Sequence, residues 1–325
     1  MLKALRANWI ALASSLLLLG AIGYILSQQQ KLSTIVEVWR LIDGWYLALA
    51  IVLTLALIQT TGTWRLATIM SFDGVDGARF LSLYRIQLIS QFVAHGVPIS
   101  AIADLARAAM VKLRYRLSPG RSVRLVLYER LCAAFGAIVV GLLASVVLLA
   151  VSPHTNLIYA QLVLWVGSLA GVCLLLAVGS LKIDTRIELI NRIVRAIDTL
   201  RDMLRQPGMA AMLALISVAQ VLSFAVVYIA LATSMQLVVS WWHVVLYMPL
   251  IFFVSSLPIF YQGWGGREAI IIFAMGDIGT VTTAQSVALS IAFGVVIFIA
   301  SLPGAVFWIM RPSMRKAIKL EVEQT

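Results

Sequence analysis

Leu257-Pro258-Ile259, followed by Gly263-Trp264-Gly265-Gly266-Arg267-Glu268-Ala269, sets an Arg–Glu pair and three glycines inside an otherwise apolar region. A stretch 160 residues earlier has a related skeleton, in which Val97-Pro98-Ile99 leads to Arg107-Ala108-Ala109. In both, the Arg falls nine residues after the Pro. Proline and glycine interrupt a helix, and interrupted backbone at membrane depth is tolerated only against protein or a water-filled cavity. A charge at that depth costs roughly 2.5–3.5 kcal/mol on insertion scales, so one such Arg in each half of the chain points to a shared polar site.

The membrane setting follows from composition. The 325 residues are 62% hydrophobic and 12% charged, with a mean hydropathy of +0.98, more apolar surface than a soluble domain keeps from water. The net charge of +11 would suggest nucleic acid in a soluble protein. Here the basic residues gather between apolar runs, as the positive-inside rule expects, and no nucleic-acid partner is implied. Lys3 and Arg6 precede the first run; Lys112, Arg114, Arg116, Arg121 and Arg124 form an acid-free group; Lys182, Arg186, Arg192, Arg195, Arg201 and Arg205 fill a third segment; and Arg311, Arg315, Lys316 and Lys319 close the chain. Residues 152–158 and 233–240 carry no Lys or Arg and are expected to face outward. Cys132 and Cys173 lie in apolar runs and read as reduced packing residues, and the three histidines form no metal-binding motif. No metal or cofactor is expected.

A helix needs about 20 apolar residues to cross the hydrocarbon layer. Six full spans are expected at roughly 8–26, 45–63, 122–151, 159–181, 209–232 and 283–310, with both termini cytoplasmic. The remaining stretches, 64–121 and 241–282, are each expected to form a re-entrant helical hairpin, one from each side. Span, hairpin and span then recur in opposite orientation, as repeat 1 over about 45–151 and repeat 2 over about 209–312. Phe135-Gly136 and Phe293-Gly294 recur at nearly the same offset. The expected fold is thus an all-α integral membrane protein, one polytopic domain over 1–325, organised as an inverted repeat with broken helices meeting near the midplane. Between the repeats, Ile187, Ile190, Val194, Ile197 and Leu204 have near-helical spacing. They predict an amphipathic helix over about 184–205, lying on the cytoplasmic surface or capping the inner end of the bundle.

Several charged residues are candidates for the polar site. Arg267 with the amides of Gly265 and Gly266 forms a helix start suited to phosphate or carboxylate. The alternative is that Arg267 pairs with a buried acid; neighbouring helix positions face apart, which argues against Glu268 as that acid. Asp104 and Arg107 stand at i and i+3 and are expected to pair. Glu129, early in an apolar span, would offset Arg107 or Arg267, and Arg130 beside it is expected to snorkel to the interface. Glu268, Asp104, Glu129 and Arg130 are the charge-balancing or proton-carrying candidates. Ala284, Ala288, Ser290, Ala292 and Gly294 give the last span a small-residue wall. Asp73-Gly74-Val75-Asp76-Gly77-Ala78-Arg79 resembles the metal signature of enzymes that transfer phosphatidyl groups from CDP-activated alcohols. Its spacing and carboxylate count fail, so a polar turn is expected. Walker, zincin and nucleophile-elbow motifs are absent, and no enzymatic activity is expected.

Taken together, the Gly265-Gly266-Arg267-Glu268-Ala269 segment, Pro98 with Asp104-x-x-Arg107, and Glu129-Arg130 opening a span resemble the lysylphosphatidylglycerol synthase transmembrane-region family. These are flippase-like proteins whose best-known member is the membrane half of the multiple peptide resistance factor. Two departures stand out: Ala103 where the family usually has Gly, and Trp264 within the glycine-rich turn. The resemblance implies a lipid flippase or transporter in the bacterial inner membrane, moving an anionic or lipid-linked polar headgroup between leaflets. It implies no aminoacyl transfer, since only 14 residues follow Arg311. Relatives are associated with phospholipids, polyprenyl-phosphate-linked sugars and hopanoid-type lipids. The alternative is an accessory membrane protein that docks a lipid-modifying enzyme on its basic face.

Overall fold

The computed structural model describes residues 32–75, 77–96, 100–151, 156–179, 188–256, 260, 263–278 and 281–310, with isolated positions among 16–24. The first expected span, the segments carrying Pro98 and Pro258, and Asp76 therefore fall outside the described residues. What is described is helical, without strands among those residues. The helices are α1 (Leu32–Arg40), α2 (Gly44–Phe72), α3 (Phe80–Gly96), α4 (Ser100–Tyr115), α5 (Pro119–Val151), α6 (Asn156–Gly179), α7 (Glu188–Arg205), α8 (Pro207–Ser234), α9 (Trp241–Ser256), α10 (Gly266–Ile278) and α11 (Thr283–Ile309).

Among the described residues, α2, α5, α8 and α11 are long and apolar enough to cross a membrane, at 27–33 residues each. In α6, Ile158–Leu174 is a shorter apolar stretch. α1 matches no expected span; its Val38 is buried and it packs on α11.

A π-helical turn over Thr54–Ile58 interrupts α2. Such a turn leaves carbonyls outside the regular ladder, and side chains of other helices use them: the Tyr84 hydroxyl donates to the Leu55 carbonyl at 2.8 Å, and Gln220 Nε2 to that of Ile58 at 3.5 Å. The described residues of the expected polar turn form one. Phe72 ends α2, Gly74 and Gly77 take positive φ, and Arg121 at the start of α5 clasps the Asp73 carboxylate at 2.5 Å as well as its carbonyl.

Two apolar cores stand at opposite ends. One gathers Leu66, Ile69 and Met70 of α2, Leu83, Ile86 and Ile89 of α3, Met110 of α4 and Leu125 of α5, and Leu200 and Met203 of α7 close it. So α7 docks on the bundle through Leu200 and Met203. The other core joins Ala50 of α2, Leu148 of α5, Leu231 of α8, Tyr247 of α9, Met275 of α10 and Val281 before α11. The pair α3/α4 thus has its bases in the first core, and the pair α9/α10 in the second. At 13–17 residues, each of these helices is roughly 20–25 Å long, short of the hydrocarbon thickness.

The small residues of α11 permit close approach. A Cβ on Gly304 would lie 2.2 Å from the Leu88 carbonyl oxygen, so α11 and α3 meet backbone to backbone there. The expected small-residue wall is buried throughout: Ala284, Ala288, Ser290, Ala292 and Gly294 all face protein.

Candidate functional site

Between the two cores lies a cavity of about 410 Å³. Its wall includes Ala94 and His95 near the end of α3, Asp104 and Arg107 of α4, and Arg130 of α5. From the other half come Ser255 and Ser256 at the end of α9, Phe260, Trp264, Arg267 and Gly294. Arg107 and Arg267, the two arginines singled out by their matching distance from a proline, therefore face one space.

Their settings differ. Arg107 is 4% exposed and ties two neighbouring helices: Nε donates to Ser90 Oγ of α3 at 3.1 Å, and Nη1 to Glu129 Oε2 of α5 at 2.9 Å. Glu129 is itself shared. Its Oε1 accepts from Nε and Nη2 of Arg65 on α2, at 3.0 and 2.5 Å. Arg65 is as deeply buried as Arg107, and its Nη1 has no hydrogen-bond partner among the described residues. One carboxylate therefore holds two guanidiniums, and its two oxygens are divided between them.

Arg267 instead pairs at home. Its Nη2 donates to Oε1 of the adjacent Glu268 at 2.8 Å, and its Nε donates to Ser290 Oγ of α11 at 2.9 Å. Ser290 donates in turn to Glu268 Oε1 at 2.7 Å, closing a ring of three side chains. This corrects the expectation that Arg267 and Glu268 have separate partners. The reason is that α10 begins at Gly266, so Glu268 lies in its first turn and reaches back to accept the Gly265 N–H at 2.6 Å. That bend brings the carboxylate to the guanidinium. The same bond occupies the Gly265 amide, which was expected to face a ligand anion. Gly265 serves instead through its φ of 86°, and Gly266 through its lack of a side chain, since a Cβ there would sit 2.5 Å from the Phe260 ring. Neither glycine lines the cavity among the described residues.

The expected Asp104–Arg107 pair is also corrected. Asp104 is held by Arg130, with Nη2–Oδ1 at 2.8 Å and Nε 3.1 Å from both oxygens. An i, i+3 pair on one helix contributes only about 0.2–0.5 kcal/mol, and Arg107 instead meets a buried carboxylate of another helix. Arg130 forms part of the cavity wall, at 47% side-chain exposure.

Aromatic rings frame Arg267. Its guanidinium carbon lies 4.8 Å from the Trp264 ring centroid and 5.5 Å from that of Phe293, within cation–π range. Gly294 makes this possible, because a Cβ there would be 2.7 Å from Trp264 and 2.9 Å from Arg267 Nη2. Trp264, which interrupts the glycine-rich turn, is thus a stacking partner of the arginine. No group of three or more metal-ligating side chains occurs among the described residues.

The long apolar helices, the shorter helices between them and a buried arginine–carboxylate site define a multi-pass helical membrane protein. Residues 8–304 match the family described as the lysylphosphatidylglycerol synthase TM region, and the chain belongs to that family. No curated protein and no solved structure matches it.

Proposed function

We propose that the protein is a lipid flippase of the bacterial inner membrane, moving an anionic or lipid-linked polar headgroup between leaflets. The observation that carries this reading is that Arg107 and Arg267, from opposite halves of the chain, line one cavity. In this reading α3/α4 and α9/α10 are re-entrant hairpins approaching from opposite faces, as the placement of their bases in opposite cores supports. The repeats over about 45–151 and 209–312 are then inverted copies meeting at the cavity. The headgroup occupies the polar space while the acyl chains stay in lipid. Arg107 and Arg267 hold it, Arg130 and Asp104 line its path, and Glu129 and Glu268 keep the two inner arginines oriented.

Purified protein in liposomes with labelled lipid in one leaflet tests this directly. Wild-type protein should speed leaflet exchange. Arg267→Lys should remain folded yet lose more than tenfold in exchange rate, because a lysine keeps the charge but cannot hold Glu268, Ser290 and a phosphate through one planar fork. A fully active Arg267→Lys would remove headgroup recognition from Arg267. Absence of exchange by wild-type protein for every lipid tried would favour the accessory, enzyme-docking role.

A further inference from the structure

Arg65 was not singled out by the sequence and is not among the cavity-lining residues, yet it bears on what the cavity can hold. Asp104, Arg107, Arg130 and Arg267 line the cavity; Glu129 pairs with Arg107 and Glu268 with Arg267, and Arg65 is the second cation on Glu129. Asp104 answers Arg130 and Glu268 answers Arg267, one to one. Glu129 answers two cations, of which Arg107 lines the cavity and Arg65 does not. Had Arg65 been neutral, Glu129 would cancel Arg107 and the site would carry no net charge. With Arg65 present, one positive charge is left over, and Arg107 is the member of that trio that a ligand can reach.

The geometry fits this division. Arg65 binds Glu129 through two nitrogens on one oxygen, whereas Arg107 reaches the other oxygen through one. Among the described residues, no hydrogen bond is made by Arg107 Nη2. A buried surplus of one unit matches a group carrying one negative charge. A phosphodiester has that charge, a zwitterionic headgroup sums to zero, and a phosphomonoester carries up to two.

We propose that Arg65 acts as a positioning residue that neutralises Glu129, leaving Arg107 to select headgroups built on a singly charged phosphodiester. This deepens the transport reading above and rests on it for the site, but it concerns binding and can be tested apart from movement.

The experiment titrates the purified full chain in neutral detergent with dihexanoyl phosphatidylglycerol, dihexanoyl phosphatidylcholine and dihexanoyl phosphatidic acid, following heat of binding. Wild-type protein should favour phosphatidylglycerol over phosphatidylcholine by about tenfold or more, as expected for one unit charge across a partly shielded cavity. Arg65→Gln should erase that preference. Arg65→Gln combined with Glu129→Gln should restore it, because Arg107 again stands unneutralised. A purely structural ion pair predicts the reverse, with the double variant no better than the single. Arg65→Lys keeps the charge but loses the two-nitrogen grip. It should keep the preference, and it decides the matter if Arg65→Gln does not fold. Undiminished preference in Arg65→Gln, lost preference in Arg65→Lys, an unrestored double variant, or no selectivity in wild-type protein would each overturn the proposal. Selective binding without leaflet exchange would leave it standing and sink the transport reading alone.

Discussion

Arg107 and Arg267 face the same cavity but are secured in opposite ways. Arg107 is held by residues of α3 and α5, and through Glu129 it is connected to α2. Arg267 is held by its own neighbour and by one serine of α11. The first arrangement makes three helices depend on one carboxylate; the second closes within a single turn and one contact. Similar chemistry at the cavity wall can thus carry very different weight in the fold.

Removing each acid should expose that difference. Glu129→Ala strands two buried cations and unties α2, α4 and α5, so it should cost more than the roughly 3–5 kcal/mol typical of breaking one buried pair. A collapse of the melting transition in detergent is the expected result, and a melting temperature unchanged from wild type would refute the central role given to Glu129. Glu268→Ala strands one cation and frees one amide, so its loss should fall within that 3–5 kcal/mol. Glu268→Gln should recover part of it, since an amide oxygen still accepts the Gly265 N–H. If Glu268→Ala proves the more damaging of the two alanine variants in thermal unfolding, the comparison is inverted. At the small end, Asp104→Asn breaks a pair whose arginine is nearly half exposed. Its stability cost should stay under about 1 kcal/mol, while anion binding rises because Arg130 is released. A large drop in melting temperature would contradict the exposure of this pair.

The parts legible in the sequence were those written as pattern. Apolar length placed α2, α5, α8 and α11, and the Pro-to-Arg spacing found two arginines that share a cavity. Glu129 could be paired with Arg107 because a carboxylate early in an apolar span needs a cation. Arg65 escaped because it lies two residues beyond the run read as a span, beside Trp64, where a basic residue looks like an ordinary interfacial anchor. Its signal was Glu129 itself, one acid where two cations had to be held. The Asp104–Arg107 misreading has a different origin: helix spacing states which side chains share a face, but not which face the neighbouring helix presents. The Arg267–Glu268 contact depended on where α10 begins, and that start is set by the positive φ of Gly263 and Gly265, a backbone property that letters alone only permit.

The position of Arg65 also bears on how the chain is made. Glu129 is separated from it by 64 residues, so on a growing chain Arg65 reaches the membrane before its partner exists. It stands seven residues from the end of α2, roughly 10 Å by helical rise. α2 is also the least apolar of the four long helices, and so the least firmly committed to the bilayer on its own. The segment between the two residues contains α3 and α4, which are synthesised in the interval before α5 delivers the carboxylate. The Arg65–Glu129 bond therefore cannot form until α5 has been made.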